Sequence, residues 1–231
     1  MPDITITAQD GGKFTGYLAK PSRAKAPGLL LIQEIFGVNQ VMRGIADEFA
    51  KQGYLVLCPD LFWRQEPNIQ ITDQSEAEWQ KAFALYQGFD QQKGVGDLIA
   101  SLAALKSHPD GNGKAGCVGY CLGGSLAFVM ACNSDVDASV SYYGIGIAGM
   151  LGTAGNIKQP LLMHVAENDK FVPKEEQENV RQGLAGNKLV TIHTYPGVDH
   201  AFARTNGQTY NKQAADMANK RTADFLKANL G

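Results

Sequence analysis

A chain of 231 residues, 44% of them hydrophobic, is long enough to bury one sizeable core, and a single α/β domain spanning residues 1–231 is an ordinary outcome at this length. Twenty-one basic and 23 acidic side chains leave a formal net charge of -2 with the signs interspersed, so there is no basic footprint for nucleic acid. No apolar run approaches the roughly 18 residues of a membrane span, and Met1-Pro2-Asp3-Ile4 lacks the form of a secretory leader, which makes a cytoplasmic location the expectation.

Taken in order, residues 4–7 alternate, Asp10-Gly11-Gly12 turns, and residues 14–19 alternate again, the pattern of an antiparallel hairpin. Residues 28–32 form a continuous apolar run, as expected of a strand buried on both faces, and lead straight into Gln33-Glu34-Ile35-Phe36-Gly37. Met42, Ile45, Ala46, Phe49 and Ala50 follow helical spacing, Gly53 closes that helix, and residues 54–58 make the next strand before Pro59. A long irregular connection over residues 60–72 precedes a helix over 75–89 and an amphipathic helix marked by Val95, Leu98, Ile99, Leu102 and Leu105. Further strands are expected at 138–143, 161–165 and 189–195. A Gly-rich loop separates the first two, a polar loop and helix the next two, and a terminal helix ends near Ala228. Strands alternating with helices predict a mostly parallel, doubly wound α/β sheet with helices on both faces, preceded by the antiparallel hairpin.

Between the amphipathic helix and the strand at 138 lies Gly119-Tyr120-Cys121-Leu122-Gly123. This is G-x-S-x-G with cysteine in the serine position, the pattern of a sharp strand-to-helix turn that exposes its middle residue. A helix starting behind Cys121 would direct unpaired N–H groups and its positive end at the sulfur, favouring thiolate. The alternative is a Gly-rich turn around an inert buried cysteine. None of Cys58, Cys117, Cys121 and Cys132 forms a C-x-x-C pair, so reduced thiols are expected.

In sheets of this class ligands bind beyond the carboxyl ends of the strands, and polar residues there should complete the chemistry of Cys121. Asp169 follows the strand at 161–165, and His200 lies in the loop after the last strand. Nucleophile, acid and histidine thus occur in α/β-hydrolase order. His200 would take the thiol proton, and Asp169 would hold the imidazole tautomer and stabilise the imidazolium. Asp169 could instead cap the helix beginning near Val172-Pro173, and Asp199 is a rival acid that its adjacency to His200 disfavours.

With these residues in place, nearly the whole chain resembles the dienelactone hydrolases (carboxymethylenebutenolidases), cysteine members of the α/β-hydrolases. The likeness runs through Gln33 to Asn39, Cys58-Pro59-Asp60-Leu61, Gly94 to Leu98, Val118 to Gly124, Tyr142-Tyr143-Gly144 and His200 to Thr205. The resemblance implies that Glu34 is the carboxylate that interacts with the nucleophilic thiol. It also implies that the N–H groups of Ile35 and Leu122 form the oxyanion hole, that Phe36 and Tyr142 line the pocket, and that Arg204 holds a substrate carboxylate. One departure stands out: where the family carries a second carboxylate-binding arginine this chain has Trp79, with no arginine between Arg64 and Arg181.

The resemblance therefore predicts hydrolysis of a small-molecule ester or lactone by a monomer. No metal or organic cofactor is expected, since the histidines are scattered without an H-x-x-x-H pair. Two alternatives remain: a carboxylesterase of relaxed specificity for neutral or aromatic esters, which Trp79 would favour, and a redox-responsive ligand-binding protein using Cys121 as sensor.

Overall fold

The computed structural model describes residues 3–231; Met1 and Pro2, on which the reading of the amino terminus partly falls, lie outside the described residues. The chain forms two compact units, the first up to Gly116 and the second Cys117–Gly231.

In the first unit the hairpin is strand β1 (Asp3–Thr7) against β2 (Lys13–Ala19), with Ile4 opposite Gly16 and Ile6 opposite Phe14. Beside it run β4 (Leu55–Pro59), antiparallel to β2, and β3 (Ala26–Ile32), parallel to β4, in the order β1-β2-β4-β3. Every residue of β3 and β4 is buried, as their unbroken apolar runs require of strands covered on both faces. Helix α1 (Gln40–Lys51) starts where Asn39 Oδ1 accepts from Met42 N at 3.1 Å, and it packs Met42, Ala46, Phe49 and Ala50 inward against β2 and β4. Helices α2 (Glu76–Gln87) and α3 (Gln91–Lys106) start at Ser75 and Asp90, whose side chains accept from Glu78 N and Lys93 N. Helix α3 packs against β1, β3 and β4.

The connection over residues 60–72 is irregular, as expected, and it is also pinned. The Asp60 carboxylate accepts from Phe62 N (3.0 Å) and Asn68 N (2.6 Å), and Ile71 N donates to the Phe36 carbonyl at 3.1 Å. These bonds fix the turn that carries Ile35 and Phe36.

Strand β5 (Gly111–Tyr120) begins in the first unit and ends in the second, where β6 (Ser139–Tyr142), β7 (Leu161–Ala166) and β8 (Val190–Tyr195) follow in the order β5-β6-β7-β8 with every pairing parallel. Helices α4 (Leu122–Asn133), α5 (Lys174–Leu184) and α6 (Lys212–Leu230) complete this unit. Nearly every residue of α4 is buried, so its sequence lacks a polar face. Phe128, Ile147, Ile157, Leu161, Met163, Val180 and Leu184 make the core there. At about 1.5–3 kcal/mol for each fully buried large aliphatic side chain, such packing is what holds the helices to the strands.

One element departs from expectation. The Gly-rich stretch after β6 is a 3₁₀ helix, Ile147–Asn156, and not a loop. Gly146, Gly149, Gly152 and Gly155 recur every third residue, which matches the three-residue turn, and a Cβ added at any of them would meet nothing within 4 Å. The glycines therefore share an open face, while Ile147 and Ala154 are buried. The largely parallel pairing, helical crossovers and N-terminal hairpin are those of the α/β class predicted. No described helix is long and apolar enough to cross a membrane.

Candidate active site

Strand β5 stops at Tyr120 and α4 starts at Leu122, so Cys121 alone makes the turn between them. Its backbone sits at φ 56 and ψ -116, in the left-handed half of the map that non-glycine residues avoid. A conformation of this kind costs roughly 1–3 kcal/mol and persists only where the surroundings over-determine it. They do so here. Cys121 N donates to the Tyr142 carbonyl at 3.1 Å, and the Cys121 carbonyl accepts from Gly124 N (2.9 Å) and Ser125 N (3.2 Å). The turn is so tight that a Cβ on Gly119 would run into the Gly123 carbonyl, and one on Gly124 into the Tyr142 carbonyl. Ser125 braces the next loop, accepting from Ile145 N at 2.7 Å and donating to the Ile145 carbonyl at 2.6 Å.

Asp169 and His200 lie beyond the carboxyl ends of β7 and β8 and meet there. Nδ1 of His200 is 2.9 Å from Asp169 Oδ2 and 3.1 Å from Oδ1, and Oδ1 also accepts from Phe171 N at 2.9 Å. Both side chains are buried. The other ring nitrogen, Nε2, is buried with no hydrogen-bond partner among the described residues. Burial works against a charge on this ring, but its interactions with Cys121 and with the Asp169 carboxylate outweigh it and raise the His200 pKa above the ordinary histidine range. Aromatic rings flank the imidazole on two sides: Tyr143 at 5.0 Å and Phe171 at 4.9 Å between centroids, both edge-to-face.

Burial pushes the Cys58 thiol far up, Cys117 up to about 12 and Cys132 upward as well, which keeps all three protonated. Strain also concentrates around the site. Besides Cys121, Tyr143 (φ 39) and Ala201 (φ 61) are non-glycine residues at positive φ, one at the end of β6 and the other directly after His200.

The second unit thus brings Asp169 and His200 into direct contact, and Cys121 acts electrostatically on the same ring. Leu122 is the first residue of α4, where the backbone N–H groups have no partner within the helix. Arg204 is buried four residues after His200, in a turn where its N donates to the Ala201 carbonyl at 2.9 Å. Tyr142 is fully enclosed, with its ring stacked on Tyr120 at 4.5 Å and its hydroxyl bonded to Asn219 (3.0 Å) and Thr222 (2.6 Å) of α6. What Tyr142 lends the elbow is its carbonyl; the tyrosine facing the imidazole is Tyr143. Asp199, the rival acid, turns its carboxylate away from the ring and onto backbone N–H groups.

In the first unit Glu34, Ile35 and Phe36 are buried just past β3. Trp79 packs edge-on to Phe36 (5.0 Å) and stacks on Phe83 (5.4 Å), and its indole N–H donates to the Asp73 carbonyl at 3.1 Å. Lys81, close to Trp79 in sequence, points elsewhere and pairs with Glu66. Tyr143 and Phe171 were not singled out from sequence.

Known proteins are similar to this chain along its length. The chain is 53% identical to a protein of Azospirillum brasilense over the whole of both chains. It is 41% identical to the carboxymethylenebutenolidase of Pseudomonas putida, covering 96% of this chain and 94% of that one. Among solved structures, a Klebsiella pneumoniae protein superposes with a TM-score of 0.86 at 24% identity, covering 98% of this chain and 97% of that one. The esterase Pf2001 of Pyrococcus furiosus superposes with a TM-score of 0.73 at 21% identity, covering 100% and 93%. Residues 14–230 match the model of the dienelactone hydrolase family, and with a cysteine elbow, an acid and a histidine at the strand ends of an α/β fold, the chain belongs to that family.

Proposed function

We propose that the chain hydrolyses small esters or lactones of the dienelactone type through a Cys121–His200–Asp169 triad and a thioacyl intermediate. The observation that carries this is the imidazole held between Asp169 and the influence of the Cys121 thiol, with its pKa raised by both. A ring with a raised pKa retains a proton taken from the thiol near neutral pH, which leaves a thiolate in place. Thiolate attack on the carbonyl carbon forms the C–S bond, and the carbonyl electron pair moves to oxygen. The tetrahedral intermediate collapses with cleavage of the C–O bond, and imidazolium delivers its proton to the leaving oxygen. Water, deprotonated by the neutral imidazole, then attacks the thioester, and the thiolate leaves as the acid product forms. Asp169 holds Nδ1 throughout and stabilises each imidazolium.

On the same reading Glu34 is the carboxylate that assists thiolate formation, and the N–H groups of Ile35 and Leu122 receive the developing oxyanion. Arg204 is the anchor for a substrate carboxylate, since its planar fork suits that group. Phe36 and Trp79 line the acyl side. The chemistry needs neither metal nor organic cofactor, and we read residues 1–231 as one hydrolase domain acting as a cytoplasmic monomer.

A second reading is favoured by the Trp79–Phe36–Phe83 cluster. An indole in place of a guanidinium presents an aromatic wall to the acyl group, which suits neutral or aromatic esters. Steady-state hydrolysis of an anionic dienelactone and a neutral aryl ester separates the two. Preference for the dienelactone supports the first reading, preference for the aryl ester the second, and turnover of neither sinks both.

A further inference from the structure

We propose that Asp199 is a positioning residue for this site: its carboxylate locks the loop that carries the acid to the loop that carries the base. The inference rests on the triad reading above and adds a residue to it. Strands β7 and β8 pair up to Ala166 opposite Tyr195, and the two chains stay tied beyond that point. Glu167 N donates to the Tyr195 carbonyl (3.0 Å), Gly197 N to Glu167 Oε2 (2.8 Å) and Asn168 N to the Val198 carbonyl (2.9 Å). Next comes Asp199. Its Oδ1 accepts from His200 N at 2.7 Å and from Lys170 N at 3.0 Å, and its Oδ2 pairs with Lys170 Nζ at 2.8 Å. One oxygen therefore holds the backbone of the base and the backbone of the residue that follows the acid. The contact between His200 Nδ1 and Asp169 is the rung that this ladder ends on.

The clamp has a physical task. Ala201, directly after His200, is held at φ 61, so the loop would relax if nothing fixed the peptide ahead of it. The Thr209 hydroxyl donates to the His200 carbonyl at 2.5 Å, fixing the far side of the residue, and Asp199 fixes the near side. An acceptor with two lone pairs on one oxygen suffices for both N–H groups. Asparagine supplies that oxygen, alanine supplies none.

The test compares D199A and D199N in the full chain. Two readouts are taken across pH: kcat and KM on whichever ester or lactone the wild type hydrolyses, and the rate of Cys121 alkylation by iodoacetamide. D199A is expected to lower kcat roughly 10- to 100-fold, as displacement of a catalytic group by about 1 Å does, with KM changed about two-fold or less. Its alkylation midpoint should move to higher pH by about one unit, because a loosened imidazole stabilises the thiolate less. D199N should keep both profiles and stay within several-fold of wild-type kcat. Wild-type behaviour of D199A overturns the proposal, and so does a D199N as impaired as D199A, which would assign the effect to charge. If D199A does not fold, D199N decides alone: a kcat lowered 10-fold or more, or a shifted alkylation midpoint, overturns the proposal. Should the wild type hydrolyse neither substrate class, the hydrolase reading fails, and the alkylation profiles still decide whether Asp199 positions the imidazole.

Discussion

His164 makes acid sensitivity a quantitative test of how the elbow is supported. It is fully buried on β7, with Nδ1 2.8 Å from the Tyr195 hydroxyl and Nε2 2.9 Å from Thr222 Oγ1. Thr222 in turn bonds the hydroxyl of Tyr142, whose carbonyl holds Cys121 N. Burial, and then the positive charges of His193 and Arg221, lower the His164 pKa from 6.5 to about 3. Because the folded value lies below the unfolded one, the unfolded chain binds the extra proton between these two pH values. The stability contribution is whole above about pH 6.5 and is lost as pH falls through the folded value. At about 1.36 kcal/mol per pKa unit the full effect is on the order of 5 kcal/mol, a large share of the stability of an ordinary domain. Urea unfolding at pH values from 7 to 4 reads it directly. Wild type should lose about 1.4 kcal/mol more per pH unit than His164→Gln below pH 6, the slope of one proton. The glutamine variant should be less stable at pH 7, since it cannot keep both hydrogen bonds, yet flatter toward acid. Parallel pH profiles for the two proteins would refute the reasoning.

Two further perturbations address the site. Gly119→Ala places a Cβ against the Gly123 carbonyl, which cannot move without displacing the start of α4. We expect a loss of a few kcal/mol in stability by denaturant titration and activity reduced by 100-fold or more, as for an overpacked, backbone-limited position; near-wild-type values of both would contradict the tightness of the elbow. Trp79→Arg removes the indole stacked on Phe83 and restores a cation. The ratio of kcat/KM for an anionic lactone over a neutral aryl ester should rise by roughly 10-fold or more, the weight of one charge-assisted hydrogen bond, and an unchanged ratio would take specificity away from this position.

The fold was largely legible because its strands are buried on both faces. Runs such as residues 28–32 and 54–58 leave no polar position to blur the pattern, and of the helix markers Met42, Ile45, Ala46, Phe49 and Ala50 all but the half-buried Ile45 are buried. The 3₁₀ helix was not legible, since three glycines in its ten residues, with Gly146 just before them, read as a breaker cluster by propensity, and only their three-residue spacing hinted at a turn geometry. At the candidate site, Cys121, Asp169 and His200 each follow a strand end, which is what marked them in the sequence. Tyr142 and Tyr143 show where sequence stops. Adjacent tyrosines on a strand point to opposite faces, and which one meets the imidazole depends on the positive φ at Tyr143, a consequence of tertiary packing. Asp199 and Phe171 make their contacts across two loops, so no local pattern in either loop announced what they touch.

The central claim is that Cys121 carries the acyl group, and the most direct measurement is intact-protein and peptide mass spectrometry of the enzyme quenched during single-turnover reaction with a slowly hydrolysed ester. The account predicts a transient adduct of acyl mass on the peptide containing Cys121, formed and lost at rates compatible with kcat and absent from Cys121→Ala, which should turn over at least 1,000-fold more slowly. Turnover that persists in Cys121→Ala, or an adduct on another residue that forms and decays at the rate of kcat, would contradict it.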